Sequence, residues 1–123
     1  MADTMSRVTI ICKKEKFDEL RVALLEIGIQ GMTVTEVHGC GVQQGKVMQI
    51  RGVKKEVHLL PKIKIDIVVC TVPVEKVIET ANKVLRTGQI GDGKIFVSEI
   101  KQVVRIRTNE RDKDALRNPG EEE

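Results

Sequence analysis

Between Lys62 and Val69 the chain reads KIKIDIVV, with Ile63, Ile65, Ile67 and Val69 at alternate positions and Lys62, Lys64 and Asp66 between them. Successive side chains of a strand point to opposite faces, so this run predicts a strand with one buried and one largely polar face. RVTIIC at 7–12, MTVTEVH at about 32–38 and KIFVSEI at 94–100 predict three more strands. Elsewhere the spacing changes to three and four. KFDELRVALLEIG sets Phe17, Leu20, Leu24 and Ile27 on one helical stripe, with Gly28 as its stop signal. A second helix opens at Pro73, whose fixed φ suits a first turn, carries Val74, Val77, Ile78, Ala81 and Leu85, and ends by Gly88.

The order is strand, helix, strand, strand, helix, strand. EIGIQGMTVTEV and RTGQIGDGKIFVSEI both run from a helix end through Gly-x-x-Gly into a strand. Two such βαβ halves in one antiparallel sheet make an α+β, ferredoxin-like βαββαβ sandwich with both helices on one face. The other face then carries Val68 and Phe96, too much apolar surface to suit water, and association of chains through that face or the sheet edges is expected.

One connection is long. Gly39 to Leu60 spans about twenty residues without periodicity, where a hairpin needs about two to five. Such a stretch is either a surface insertion or a mobile recognition loop. From Thr108 the chain becomes TNERDKDALRNPGEEE, read as a polar, flexible tail over 109–123 that follows a domain of residues 1–108.

Composition narrows the function. The net charge is +3 and the signs are mixed, Trp and Tyr are absent, and Phe17 and Phe96 are the only aromatics. A nucleic-acid surface would need a denser basic stripe and stacking rings. Cys12, Cys40 and Cys70 form no Cys-x-x-Cys pair, and His38 and His58 stand alone, so neither a disulfide framework nor a zinc site is read. The longest apolar run, Ile67–Val72, is far too short to span a bilayer, and a cytoplasmic protein is expected.

GCGVQQGK at 39–46 resembles a phosphate loop but fails its rule: Gly39 and Gly45 are one residue too far apart and Val47 follows Lys46. A second glycine turn, TGQIGDGKIFV at 87–97, offers Gly91 and Gly93 for close backbone approach and Lys94 as a point charge. Arg105 and Arg107, two apart in VVRIR, would share one face of an extended segment and suit phosphate or carboxylate. Taken alone, the pair reads first as a solvated charged strand. With Lys62 and two glycine turns it points to an anionic ligand. No nucleophile stands near a candidate base and no acids are paired, so the reading is a binding protein and not an enzyme.

Together GMTVTEVHGCGVQQGK, LPKIKIDIVV, RTGQIGDGKIFV and VVRIRT, in register from about 7 to 108, resemble the PII signal-transduction family of nitrogen regulators. The resemblance implies a homotrimer that binds ATP or ADP in clefts between subunits. Thr33, Gly39, Val68, Gly91, Asp92, Gly93, Lys94, Arg105 and Arg107 would contact nucleotide. It also implies 2-oxoglutarate as effector, held by Gly41, Gln43, Lys62 and Gly91, with Gln43 on a Mg²⁺ ion beside the ATP phosphates. The long connection, about 41–60, corresponds to the family's T-loop, and Arg51 to the arginine that plugs an ammonium transporter, the only implied link to a membrane. The alternative is a PII-like nucleotide binder that senses another small anion for another partner. Cys40 and Val42 stand where the family often has aromatic or basic residues, and Lys14-Glu15 replaces its Pro-Phe. Its modified tyrosine and serine fall on Lys55 and Val53, so neither of those covalent marks is expected on the loop.

Overall fold

The computed structural model describes residues 4–41, 48–50, 53–55 and 58–117. Strand β1 (Met5–Lys13) leads through a short 3-10 turn (Lys14–Lys16) into helix α1 (Phe17–Glu26) and then strand β2 (Thr33–Gly41). After a small hairpin of β3 (Met48–Ile50) and β4 (Val53–Lys55) come β5 (His58–Val69), helix α2 (Val74–Leu85), β6 (Gly93–Ile100) and the single-turn α3 (Asp112–Ala115). The main sheet has the order β2-β5-β1-β6 with every neighbouring pair antiparallel. This is the ferredoxin-like arrangement that the two half-chain echoes predict.

The core is the alternation made physical. Val8, Ile10 and Cys12 of β1 and Ile63, Ile65, Ile67 and Val69 of β5 lie under Leu20 and Leu24 of α1 and Val77, Ala81 and Leu85 of α2. Each fully buried Leu or Ile contributes about 1.5–3 kcal/mol of transfer free energy, which is why one face of β5 admits no charge while the other holds three. Helix α1 stops as its sequence predicts. Gly28 takes φ +97°, its amide donates to the Leu25 carbonyl, and the Ile29 amide reaches back to Leu24. That closes a Schellman cap, with Ile29 buried behind it.

The opposite face of the sheet is open. Register sets Val68 beside Arg7 on β1 and Phe96 beside Thr9, and Phe96 is 52% exposed. Among the described residues of one chain, the face that the sequence leaves without a second layer has no such layer.

Two boundaries move. The connection read as Gly39–Leu60 is shorter, because the β2–β5 ladder continues through Gly39↔Leu60, Cys40↔Leu59 and Gly41↔His58. Leu59 and Leu60 are both exposed; with neither face buried, no alternation marks these residues as strand. The fold also runs past 108. Val104 bridges to Arg111, the Asp112 amide donates to the Val103 carbonyl, and Asp112 Oδ1 accepts the Val103 amide at 3.1 Å. Short-range polar contacts order residues 109–117, and such contacts leave no hydrophobic pattern to read.

Candidate functional site

Turn 87–93 is built around one carboxylate. Asp92 accepts the Thr87 amide at 2.8 Å, the Thr87 hydroxyl at 2.5 Å and the Gly88 amide at 3.0 Å. These bonds, the Thr87 hydroxyl's first, hold its pKa below the usual carboxylate value. Asp92 thus shapes the turn that presents Gly91 and Gly93. Gly93, at φ +116°, lies against β1 so closely that a Cβ would sit 1.9 Å from the Ile11 carbonyl oxygen. No other residue fits there.

Across the sheet, Gly39 sets the path of Lys62. A Cβ on Gly39 would stand 3.3 Å from Lys62 Cγ, so the bare glycine lets the lysine stem lie alongside β2. Lys62 Nζ then reaches the Gly91 carbonyl at 2.8 Å. Lys13, the register partner of Lys62 on β1, brings its Cε within 3.5 Å of the position a Gly91 Cβ would take. Lys94, the second residue of β6, pairs with Ile11 and is exposed. Gly39, Lys62, Gly91 and Lys94 thus gather at one end of the sheet, with Lys13 added. Three ammonium groups beside bare backbone suit an anion. Gly41, the last residue of β2, is at the same end; Gln43 and Arg51 lie outside the described residues.

The other predicted residues are elsewhere. Thr33, Val68 and Arg105 line a cleft of about 1160 Å³ together with Arg7, Asp66 and Ala115. Asp66 accepts the Thr9 hydroxyl at 2.6 Å. Arg105 and Arg107 do not share a strand face, because the chain turns over 106–108 and the Asn109 amide closes back on the Arg105 carbonyl at 2.7 Å. Arg107 is exposed on that turn. Arg105 is half-buried, and its Nη1 donates to Glu110 Oε1 at 2.9 Å, a partner the sequence reading had not assigned. Its Nη2 donates to the carbonyls of Ala115, at 3.0 Å, and Arg117.

Lys62 and Val68 point to the same open face of β5 but are six residues apart, about 20 Å along the strand. One chain therefore carries two groups of predicted ligands, a cationic glycine end and a cleft end, which it cannot bring together. Lys13 was not legible in the sequence, because only the strand register sets it beside Lys62. Glu110 was legible as an acid placed five residues after Arg105. Among the described residues, no three His, Cys, Asp or Glu side chains cluster as a metal site, and no helix is long and apolar enough to cross a membrane.

Residues 5–110 match the profile of the nitrogen regulatory protein P-II family. The chain belongs to that family. It is 49% identical over 112 residues to nitrogen regulatory protein GlnK of Escherichia coli K12, covering 91% of this chain and all of the relative. A solved Bacillus subtilis GlnK–ATP complex superposes with a TM-score of 0.80 at 41% identity, covering 94% of this chain and 99% of that one. Arabidopsis thaliana PII bound to citrate superposes at 0.74 with 38% identity over 92% of each chain. A P-II protein is a nitrogen regulator, and the ferredoxin-like fold of the family is the fold described above.

Proposed function

We propose that this P-II protein is a homotrimeric sensor that binds ATP or ADP at subunit boundaries, reads 2-oxoglutarate, and signals through residues 41–60 to a nitrogen-metabolism target such as an ammonium transporter. The observation that carries it is the split of the ligand set. Gly39, Lys62, Gly91 and Lys94 lie at one end of the open face, and Thr33, Val68 and Arg105 at the other. Two copies placed face to face could each supply one half. The triphosphate would take Gly91, Gly93 and Lys94 from one chain and Arg105 and Arg107 from the next, with adenosine against Thr33, Val68 and Gly39. Asp92 enters by shaping the turn. The relative bound to ATP supports the nucleotide, and the relative bound to citrate supports a small carboxylate effector.

Lys62 and the Gly91 backbone, with Gly41 at the end of β2, would receive the carboxylate. Mg²⁺ prefers oxygen ligands, and the amide oxygen of Gln43 with the ATP phosphates would supply them. The ion would offset repulsion between triphosphate and dicarboxylate; holding and orienting the acid falls to the chain's own Lys62 and backbone amides. Arg51 is the residue proposed to reach the transporter. The second reading, another small anion and another partner, rests on the changed residues Cys40 and Val42 beside the effector site.

Titration calorimetry with ATP, ADP and 2-oxoglutarate, with and without Mg²⁺, tests this reading. Arg105→Ala should weaken ATP and spare adenosine, and Gln43→Ala should abolish the 2-oxoglutarate signal while ADP binding persists. Absence of 2-oxoglutarate binding in Mg-ATP would select the second reading.

A further inference from the structure

Arg105 as it stands cannot offer phosphate a bidentate grip. A guanidinium has five N–H groups and two forks, one from Nη1 with Nη2 and one from Nε with Nη2. Nη2 belongs to both. In this chain its two hydrogens are taken by the carbonyls of Ala115 and Arg117, and Nη1 gives one to Glu110. The donors left over, Nε–H and the second Nη1–H, do not form a fork.

The segment that makes these contacts is clipped down independently. Val104 pairs with Arg111, the Arg105 amide donates to the Glu110 carbonyl at 2.9 Å, and Asp112 exchanges bonds with Val103 in both directions. Glu110 is itself fixed by the Thr108 hydroxyl at 2.6 Å. Ala115 and Leu116 line the same cleft as Thr33 and Val68. The segment therefore lies across the half-site and puts a carboxylate on the cation assigned to phosphate.

We propose that residues 108–117 form an internal latch, with Glu110 as a built-in anion and the carbonyls of Ala115 and Arg117 as the bolt, and that nucleotide phosphate binds Arg105 only by displacing it. The proposal rests on the assignment of Arg105 to phosphate. Opening the latch draws on binding free energy, so the apparent affinity for ATP is set partly by how firmly the segment is held. The latch weakens phosphate-bearing ligands more than adenosine, which does not need the Arg105 guanidinium.

Two variants loosen it by different means. Glu110→Gln keeps a neutral hydrogen bond but removes the competing charge. Asp112→Ala removes the side-chain half of the clip to Val103, leaving the backbone bond, without touching Arg105. In the full-length protein, calorimetry should show each variant binding ATP roughly three- to tenfold more tightly, the range for weakening or losing one charge-assisted hydrogen bond, with adenosine changed less. Amide hydrogen exchange in residues 109–117 should rise in both variants without ligand, and in the wild type on adding ATP. ATP affinity that is unchanged or lower in both variants overturns the latch and makes the segment a support for Arg105. If Arg105→Ala weakens ATP while neither latch variant strengthens it, the latch alone is wrong. If Arg105→Ala binds ATP like the wild type, the phosphate assignment fails and the latch with it.

Discussion

Replacing Gly93 by Ala places a methyl group 1.9 Å from the Ile11 carbonyl oxygen, and two effects add. At φ +116° a side chain stores about 1–3 kcal/mol of backbone strain. The overlap is with backbone, so no side chain can swing away. To restore ordinary contact the β1–β6 ladder must part by about 1.5 Å at the Cys12↔Gly93 pair. That breaks the adjacent ladder hydrogen bonds, each worth about 0.5–1.5 kcal/mol net, so the expected loss is roughly 3–5 kcal/mol in all. Gly91→Ala is the control. Gly91 has a similar φ of +103°, but its Cβ would meet only the flexible tips of Lys13 and Lys62 at 3.5 and 3.7 Å, leaving the strain of about 1–3 kcal/mol alone. Urea unfolding at fixed protomer concentration should rank Gly93→Ala below Gly91→Ala by about 2 kcal/mol. The Ile11 and Lys94 amides, paired across the ladder next to Gly93, should also lose exchange protection only in the first variant. Equal destabilisation of the two would refute the close approach of turn and strand.

Asp92 makes the turn's stability pH-dependent. Its pKa is lowered in the fold, so its contribution is fully present above 3.8 and is lost as pH falls through the lower folded value; the Tm gap between wild type and Asp92→Asn should be open at neutral pH and close in acid. The thiols should react in order of access. Iodoacetamide should modify exposed Cys40 before half-buried Cys70, and Cys12 only on unfolding, because burial raises its pKa, with Lys62 partly opposing. Peptide mapping over time would check this order, and early labelling of Cys12 would contradict its place in the core.

The strands and helices were legible because each buries one face. Ile63, Ile65, Ile67 and Val69 sit in the core as alternation demands, and Gly28 caps α1 as a glycine stop should. Residues 39–41 and 58–60 carried no such signal, since Leu59 and Leu60 lie on a ladder that buries neither side. For the site, the residue types were readable but their placement was not. Arg105 and Arg107 looked like one face of a strand, and the turn that separates them is made by Glu110, Asn109 and Asp112 through local polar bonds. What the sequence did not show of Asp92 is that its oxygens hold the turn that the glycines need. Register, which sequence does not print, is what sets Lys13 beside Lys62.

The central claim is that one nucleotide site takes its glycine–lysine end from one chain and its Arg105 cleft from another. Subunit mixing tests it most directly. In the proposed trimer, Lys94→Ala and Arg105→Ala would each spoil every site of a pure assembly, whereas one reassembled from both would contain some boundaries where both contributing halves are intact. Calorimetry on the mixture should recover a class of ATP sites with wild-type affinity that neither parent shows. A mixture that binds ATP no more tightly than its parents, or a protein that light scattering finds monomeric, would contradict the account.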